Sequence, residues 1–345
     1  MPPIEPNHTA DEVDEAGRIL KDPGSPPDKQ AEALAVVDNW RASHDYPLNA
    51  VTVALRNKVL RLAEEAASPV RRLKRLPSIR GKLQRIERLR LSEYQDIGGC
   101  RAVLPELSDV YELVQQYEKG EHVYVLERID DRIRRPKPDG YRCVHLIFRY
   151  ASEQENARKW AGLRVEMQLR TQLQHDWATA IETVDSVTNQ GLKSGGGRPE
   201  WKRFFLLVSG SMAAAEKSPM PAGIAADLGE VRREIAELDS RYGLIRSLDS
   251  YRKAATQVFG STTGQHFVLE LDPERNEVRE HRFGSFDEAN EYFARRERDQ
   301  LFGHDEMRID RVLTSGESIA QLRRYYPNYY HDVERFVGRV KEFLG

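Results

Sequence analysis

Two hydrophobic periods alternate between residues 78 and 184, and this alternation limits the possible folds more than any other feature of the sequence. A period of two residues, typical of strands, occurs in four segments: 100–104, 123–129, 143–150 and 163–169. Helical spacing occurs in three further segments: 78–89, 107–117 and 172–184. Two more helices are predicted upstream, at 27–44 and 46–62. We therefore expect a β-sheet with helices packed against it.

The segment 163–171 has one apolar face and one fully polar face. The polar face carries Arg164, Glu166, Gln168 and Arg170. An exposed edge strand would show the same alternation. The segment 143–150 is too apolar for an exposed strand, yet it carries His145 and Arg149 on its polar face. Together the two segments predict a polar cleft over the sheet.

The composition is that of an ordinary globular chain, with 39% hydrophobic and 31% charged residues and a net charge of -2. It argues against a fibrous or disordered protein. The two cysteines, Cys100 and Cys143, lie in apolar runs, so we expect reduced core residues and a cytoplasmic protein. No apolar stretch approaches the ~18 residues of a membrane span. The window 70–91 holds nine basic residues and one acidic residue, which indicates an anionic ligand.

The sequence predicts four parts. Residues 1–26 are acidic and rich in proline, typical of a mobile tail, and residues 27–217 contain the alternating segments. Residues 218–261 predict a helical connector, with a charged helix at about 226–258. Residues 262–345 predict a smaller α+β unit: strands at 266–271, 277–283 and 308–313, a turn at 272–276, and helices at 285–298 and 318–343.

The last predicted helix carries four tyrosines: Tyr325, Tyr326, Tyr329 and Tyr330. Such a stripe either packs against the neighbouring hairpin or stacks on nucleic-acid bases. Packing is the more common use of aromatic residues on one helix face.

Four motifs occur in a fixed order: RLKRLPSIRGK at 72–82, YQDIGGCR at 94–101, RPKPDGYRCVH at 135–145 and VEMQLRT at 165–171. Together they resemble the synthetase domain of the RelA/SpoT family. The resemblance covers about a third of the chain, and about half with the preceding helices. It implies a nucleotidyltransferase-like mixed sheet flanked by helices, within the α+β class. Four motifs in order are a far more specific signal than any one of them alone.

The resemblance implies that Asp96 and Glu166 are the catalytic residues and that both bind Mg²⁺, which prefers one or two carboxylates. It implies that ATP is bound by Arg72, Lys74, Ser78, Lys82 and Arg101. Arginine can hold phosphate oxygens through two donors, and a serine hydroxyl can cap a helix that begins at residue 78. Arg101 matches a position that stacks on adenine in the family.

The acceptor nucleotide is assigned to a second group of residues: Lys137, Tyr141, Arg142, His145, Gln168 and Arg170. In the family an aromatic ring at the position of Tyr141 covers the guanine, and Gly140 allows the turn that precedes the strand. Lys137, Arg142 and His145 would contact acceptor phosphates. Gln168 and Arg170 would either orient Glu166 or bind the acceptor.

The implied function is transfer of pyrophosphate from ATP to the 3′-hydroxyl of GDP or GTP. None of the His-Asp pairs continues to the HDxxED signature of the family's hydrolase domain, so no hydrolysis of the product is expected. Two alternatives stay open: a toxin-type relative that modifies the 3′ end of tRNA or makes adenosine alarmones, and an inactive nucleotide sensor. A homo-oligomer, and a regulatory or antitoxin partner for residues 262–345, also stay open.

Overall fold

The computed structural model of the chain describes residues 3–63, 66, 68–120, 124–188, 191–248, 266–272, 277–301, 309–315 and 333–345. The chain forms two compact units. The first consists of Met1–Asp131 and Cys143–Gln172, and the second of Arg132–Arg142 and Leu173–Gly345. The second unit continues from Leu173 to Gly345 without a division at the expected boundaries, 217 and 261, and it also includes Arg132–Arg142.

A five-stranded mixed sheet forms the centre of the first unit. Its strands are β1 (Val70–Leu73), β2 (Gly98–Leu104), β3 (Tyr124–Asp131), β4 (Val144–Tyr150) and β5 (Arg164–Thr171). They lie in the order β1-β2-β5-β4-β3, with β2 and β5 parallel and the other pairs antiparallel. The expected α+β class with a mixed sheet is confirmed. Strand β1 was not predicted, because four residues in a basic run show no hydrophobic period.

One face of this sheet is apolar and is covered by helices. Strand β2 alternates between buried and partly exposed residues along its length, and most of β5 does the same. The helices α3 (Asp45–Leu62) and α5 (Leu107–Lys119) pack against the strands, and Tyr117 of α5 lies 5.3 Å from Phe148 of β4, centroid to centroid. Burial of this face in a core is the main force that fixes the register of the sheet.

The N-terminal part of the first unit differs from the expected mobile tail. Helix α1 (Ala10–Lys21) begins with a capping box formed by Thr9 and Glu12. It packs against α2 (Pro27–Ser43) and α4 (Leu76–Arg85). The expectation rested on charge and proline content. The buried stripe, Val13, Ala16 and Leu20, is narrow enough to be hidden in that composition.

The second unit is built around the helices α6 (Gln172–Thr188), α7 (Pro199–Ala215) and α8 (Leu228–Tyr242). Trp201 of α7 stacks on Phe205, with ring centroids 5.6 Å apart. The last helix, Glu334–Leu344, joins the same core through Phe336, Val337 and Val340. No helix of the described ranges is long and apolar enough to cross a membrane.

A three-stranded antiparallel sheet follows α8, with β6 (His266–Asp272) in the centre between β7 (Glu277–Phe283) and β8 (Asp310–Ser315). The helix Phe286–Leu301 packs on it through Ala289 and Phe293. The strands confirm the α+β pattern expected here. The turn was predicted at 272–276; Asp272 is the last residue of β6, and the rest of that turn and the tyrosines at 325–330 lie outside the described residues.

A buried ionic cluster lies between this small sheet and its helix. Glu270 of β6 is 3% exposed and Arg311 of β8 is 1% exposed. Glu270 accepts hydrogen bonds from Arg311 Nε at 2.6 Å and from His281 Nε2 at 3.0 Å. Burial opposes ionisation of Glu270, but His281 and Arg311 outweigh it and lower the pKa of Glu270 to about 2.

Glu270→Gln is expected to destabilise the small sheet by about 3–5 kcal/mol, because Arg311 would keep a buried charge without its carboxylate. Amide hydrogen exchange of His266–Asp272 measures the loss. Glu291→Gln, an exposed change on the helix Phe286–Leu301, is the control. In the unchanged protein this contribution is complete above the ordinary carboxyl pKa of 4.5 and is lost as the pH falls towards 2. Equal exchange in both variants would contradict the assignment.

Candidate functional site

The register of the first sheet places the predicted polar residues on one face. Arg72 of β1 pairs with Gly99 of β2, which pairs with Glu166 of β5. In the next row Arg101 of β2 pairs with Gln168, which pairs with His145 of β4. Side chains of paired residues point to the same side of a sheet. The face opposite the helices α3 and α5 is therefore the polar one that the sequence predicted.

Glu166 is the centre of a network of side-chain hydrogen bonds on this face. Its Oε1 lies 2.8 Å from Nδ1 of His145, and its Oε2 accepts a hydrogen bond of 2.8 Å from Nε2 of Gln168. Arg170 donates in turn to Oε1 of Gln168 at 2.5 Å. Gln168 thus contacts Glu166 directly and Arg170 contacts Gln168, an arrangement compatible with the orienting role that the sequence left open for them.

These contacts decide the charge of the pair. Burial favours neutral Glu166, but the hydrogen bond and charge of His145 outweigh burial, so the pKa of Glu166 lies below its usual value. Burial also opposes protonation of His145, but its contacts with Cys143 and Glu166 raise the pKa of the imidazole. Glu166 is therefore held as a carboxylate with a fixed orientation.

Asp96 is held by two lysines in the segment that precedes β2. Its Oδ2 accepts from Nζ of Lys74 at 2.6 Å and its Oδ1 from Nζ of Lys82 at 2.9 Å. The three side chains are only 19–25% exposed. Burial raises the pKa of Asp96, but the two ammonium groups outweigh it and lower that pKa. Burial also lowers the pKa of Lys74, and Asp96 counteracts it.

The two carboxylates lie near each other. The charge of Asp96 disfavours ionisation of Glu166, and both residues lie towards the N-terminal ends of the parallel strands β2 and β5. In the described parts of the chain, no group of three or more His, Cys, Asp or Glu residues could hold a metal ion. Two carboxylates fit a magnesium ion that is bound together with a nucleotide, because such ions take one or two carboxylates and phosphate oxygens.

The helix α4 begins two residues earlier than the sequence predicted. Its N-cap is Arg75, with no side-chain cap, and Ser78 lies within its first turn. Pro77 explains the difference, because proline fits the first turn of a helix, where no N–H is needed. Ser78 is therefore not the cap residue. Its backbone N–H is still one of the first four of the helix, which have no carbonyl partner within the helix.

The remaining predicted ATP-binding residues frame the same face. Arg72 is exposed, and Arg101 is partly exposed beside Gln168. All five predicted ATP-binding residues lie in the first unit, which also contains Asp96, Glu166, His145, Gln168 and Arg170.

Lys137, Tyr141 and Arg142 belong to the second unit. They lie on a tight turn, in which Gly140 N–H donates to Lys137 C=O at 2.9 Å and Lys137 N–H donates to Tyr141 C=O at 3.2 Å. Nζ of Lys137 lies 5.3 Å from the ring centroid of Tyr141. Tyr141 is partly exposed and packs against Trp177 of α6, with ring centroids 6.4 Å apart. The turn thus holds one aromatic ring beside an exposed cation.

Arg142 has a different place from the expected one. Its side chain is 2% exposed, and NH1 donates to Oε2 of Glu216 at 2.5 Å. A buried arginine needs such a partner, because an unpaired charge in the core is very costly. The structure therefore gives Arg142 a buried ion pair instead of the expected phosphate contact.

Arg41 is a residue of this site that sequence reasoning missed. Its Nε donates to the backbone carbonyl of Lys74 at 2.7 Å, while the N–H of Lys74 donates to Ile97 C=O at 2.7 Å. Both contacts fix the backbone that carries the lysine. They join residues 33 and 23 positions apart, and no local pattern in the sequence indicates such contacts.

The motif region matches a known family. The model described as "Region found in RelA / SpoT proteins" matches residues 71–184. The chain thus contains a RelA/SpoT region. Over 113 residues it is 32% identical to GTP pyrophosphokinase YwaC of Bacillus subtilis (strain 168), and the alignment covers 31% of this chain. The chain spans about half the length of this curated relative, 52%.

Solved structures of similar shape include two from Bacillus subtilis. Small alarmone synthetase 2 is 21% identical, with a TM-score of 0.45, over 52% of this chain and 94% of that one. Small alarmone synthetase 1 bound to its product pppGpp is 20% identical, with a TM-score of 0.44, over 57% of this chain and 97% of that one. The fold class of the present chain follows from its own strand order and helices.

Gly140→Ala is expected to destabilise the protein more than Gly162→Ala. The two glycines have φ angles of +93° and +92°, so alanine costs roughly 1–2 kcal/mol at either position from the backbone alone. At Gly140 the new Cβ would also lie 3.0 Å from Cβ of Ser209 and 3.1 Å from a ring carbon of Trp177, whereas nothing lies within 4 Å at Gly162. Urea unfolding followed by tryptophan fluorescence measures both, and equal losses would contradict tight packing of the turn.

Proposed function

We propose that this protein transfers a pyrophosphoryl group from ATP to the 3′-hydroxyl of a guanosine nucleotide. The observation that carries the proposal is the polar face of the first sheet. There Glu166, fixed between His145 and Gln168, lies near Asp96, which two lysines hold. The match of residues 71–184 to the RelA/SpoT region, and the name of the curated relative, support the same chemistry.

The donor side is suited to a triphosphate. Lys74 and Lys82 are cations in a mostly buried place, where their attraction for phosphate oxygens is stronger than in water. Arg72 and Arg101 lie on the same face and add guanidinium groups, which can bind phosphate in pairs of hydrogen bonds or stack on a base. The first turn of α4 presents backbone N–H groups.

Asp96 and Glu166 would bind Mg²⁺ together with the triphosphate. When bound, the ion neutralises phosphate charge and polarises the phosphorus–oxygen bonds. Asp96 would then exchange at least one lysine contact for the metal, so that Lys74 or Lys82 could turn to the phosphates.

Glu166 would take the proton of the attacking 3′-hydroxyl. The hydroxyl oxygen forms a bond to the β-phosphorus of ATP, and the bond from that phosphorus to the oxygen that bridges to the α-phosphorus breaks. AMP leaves with the electron pair of the broken bond. His145 and Gln168 hold the carboxylate in place, so the carboxylate needs little reorientation during the reaction.

Tyr141 would stack on the guanine of the acceptor. Its ring is partly exposed, and the cation of Lys137 beside it is free to move towards acceptor phosphates because the lysine side chain is exposed. Stacking alone does not select guanine over adenine. A tRNA end and ATP are therefore tested as acceptors in the same experiment.

Glu166→Gln is expected to reduce transfer by roughly 10²–10⁴-fold, the usual contribution of a general base, because the amide keeps the shape but cannot accept the proton. Transfer is followed by thin-layer chromatography with ATP labelled at the γ-phosphate, in Mg²⁺, with GDP, GTP, ATP and deacylated tRNA as acceptors. Binding of ATP, measured by calorimetry, is expected to persist. Glu153→Gln, an exposed change, is the control.

Label in a guanosine nucleotide supports the proposal. If label appears only in tRNA or in adenosine nucleotides, the proposed acceptor is wrong but the proposed transfer chemistry stands. ATP binding without transfer to any of the four acceptors would overturn the proposal in favour of a nucleotide sensor. Full activity of Glu166→Gln would refute the role of Glu166.

A further inference from the structure

The turn that carries Tyr141 is tied to the helix α7 by hydrogen bonds on both sides of the tyrosine. Before it, the hydroxyl of Ser209 donates to the carbonyl of Gly140 at 2.5 Å. After it, Nε of Arg142 donates to the same hydroxyl at 3.3 Å. Ser209 is 1% exposed. One buried side chain of α7 therefore contacts the residues on either side of Tyr141.

A second tie holds the same turn at the C-terminal end of α7. Besides Glu216, NH1 of Arg142 donates to Oγ of Ser218 at 3.2 Å. Glu216 also accepts from Nε2 of Gln174 in α6 at 3.1 Å. The end of a helix carries a partial negative charge, which adds to the attraction for the guanidinium. Arg142 thus connects the turn to the point where α7 ends.

The absence of a side chain at Gly140 explains why the turn can lie so close to α7. A side chain at this position would lie 3.0 Å from Cβ of Ser209 and 3.4 Å from Cα of Leu206. Only a residue without Cβ lets the turn come this close to α7. The close approach places the Gly140 carbonyl within reach of a hydroxyl that is itself fixed on a helix, so the hydrogen bond has little freedom.

We propose that Ser209 is a positioning residue for the acceptor, which sets the place of the Tyr141 ring through its two hydrogen bonds to the turn. The inference rests on the proposed function, because it requires Tyr141 to bind the acceptor. Ser209 does not touch a substrate. It acts through the backbone of Gly140 and the side chain of Arg142, and its loss changes acceptor binding and leaves ATP binding as it was.

Ser209→Ala tests the proposal in the full chain. Removal of the hydroxyl is expected to raise KM for GDP by roughly 2- to 10-fold, the worth of one hydrogen bond, with KM for ATP unchanged. Ser211→Ala is the matched control. Ser211 lies on the same helix and is 9% exposed, but its hydroxyl donates to Leu207 C=O of α7 itself. Thermal unfolding of both variants shows whether they fold equally well.

Ser218→Ala is a milder second variant, because Ser218 is partly exposed and contacts Arg142 but not Gly140. It is expected to raise KM for GDP less than Ser209→Ala does. A rise in KM for GDP alone, absent in Ser211→Ala, supports the proposal. Equal KM values for GDP in wild type, Ser209→Ala and Ser218→Ala would overturn this inference but not the proposed transfer reaction. A parallel rise in the KM values for GDP and for ATP would show that Ser209 has a general structural role, and this would also overturn the inference. A wild-type protein that transfers nothing to either GDP or GTP would overturn the inference together with the proposed function.

Discussion

The site depends on keeping two nearby carboxylates ionised in a place with little water. Each charge there is costly without partners, and each raises the cost of the other. Cations and hydrogen-bond donors stabilise both carboxylates: Lys74 and Lys82 contact Asp96, and His145 and Gln168 contact Glu166. The attraction that lysines exert on a carboxylate is the same attraction they would exert on phosphate. The same cations would suit the nucleotide of the proposed function.

The parallel pair of β2 and β5 brings these groups together. Gly99 faces Glu166 and Arg101 faces Gln168, so two segments far apart in the chain supply one polar face. Glycine at 99 leaves the space above the strand open beside Glu166. The apolar residues between these positions point into the core with α3 and α5, and this burial fixes the register. A shift by one residue would turn the carboxylate of Glu166 into the core.

The sequence predicted the parts of the molecule that have a strong period or a motif. The alternation at 163–171 gave both faces of β5, and the four motifs named most residues of the polar face. The sequence did not predict β1, helix α1 or the true start of α4. Those depend on tertiary burial and on the position of Pro77. The buried pairing of Arg142 with Glu216 could not be predicted either, because a basic residue in a motif has the same letters whether it binds phosphate or a carboxylate.

The turn that carries Tyr141 is held by a core that extends to the last helix, Glu334–Leu344. Phe336 of the last helix lies 5.6 Å from Phe205 of α7, centroid to centroid, and the carbonyl of Phe205 accepts a hydrogen bond of 2.7 Å from Nε1 of Trp177. The ring of Trp177 in turn limits the space at Gly140. Asp176, the neighbour of Trp177, is buried and paired with Arg335 of the last helix segment at 3.0 Å. The last helix therefore helps to support the turn that carries Tyr141, so the residues after 262 do not all belong to one separate structure. Through these packed side chains, a change in the last helix can affect the position of Tyr141. A double-mutant cycle of Phe336 and Ser209 measures the coupling between the two residues.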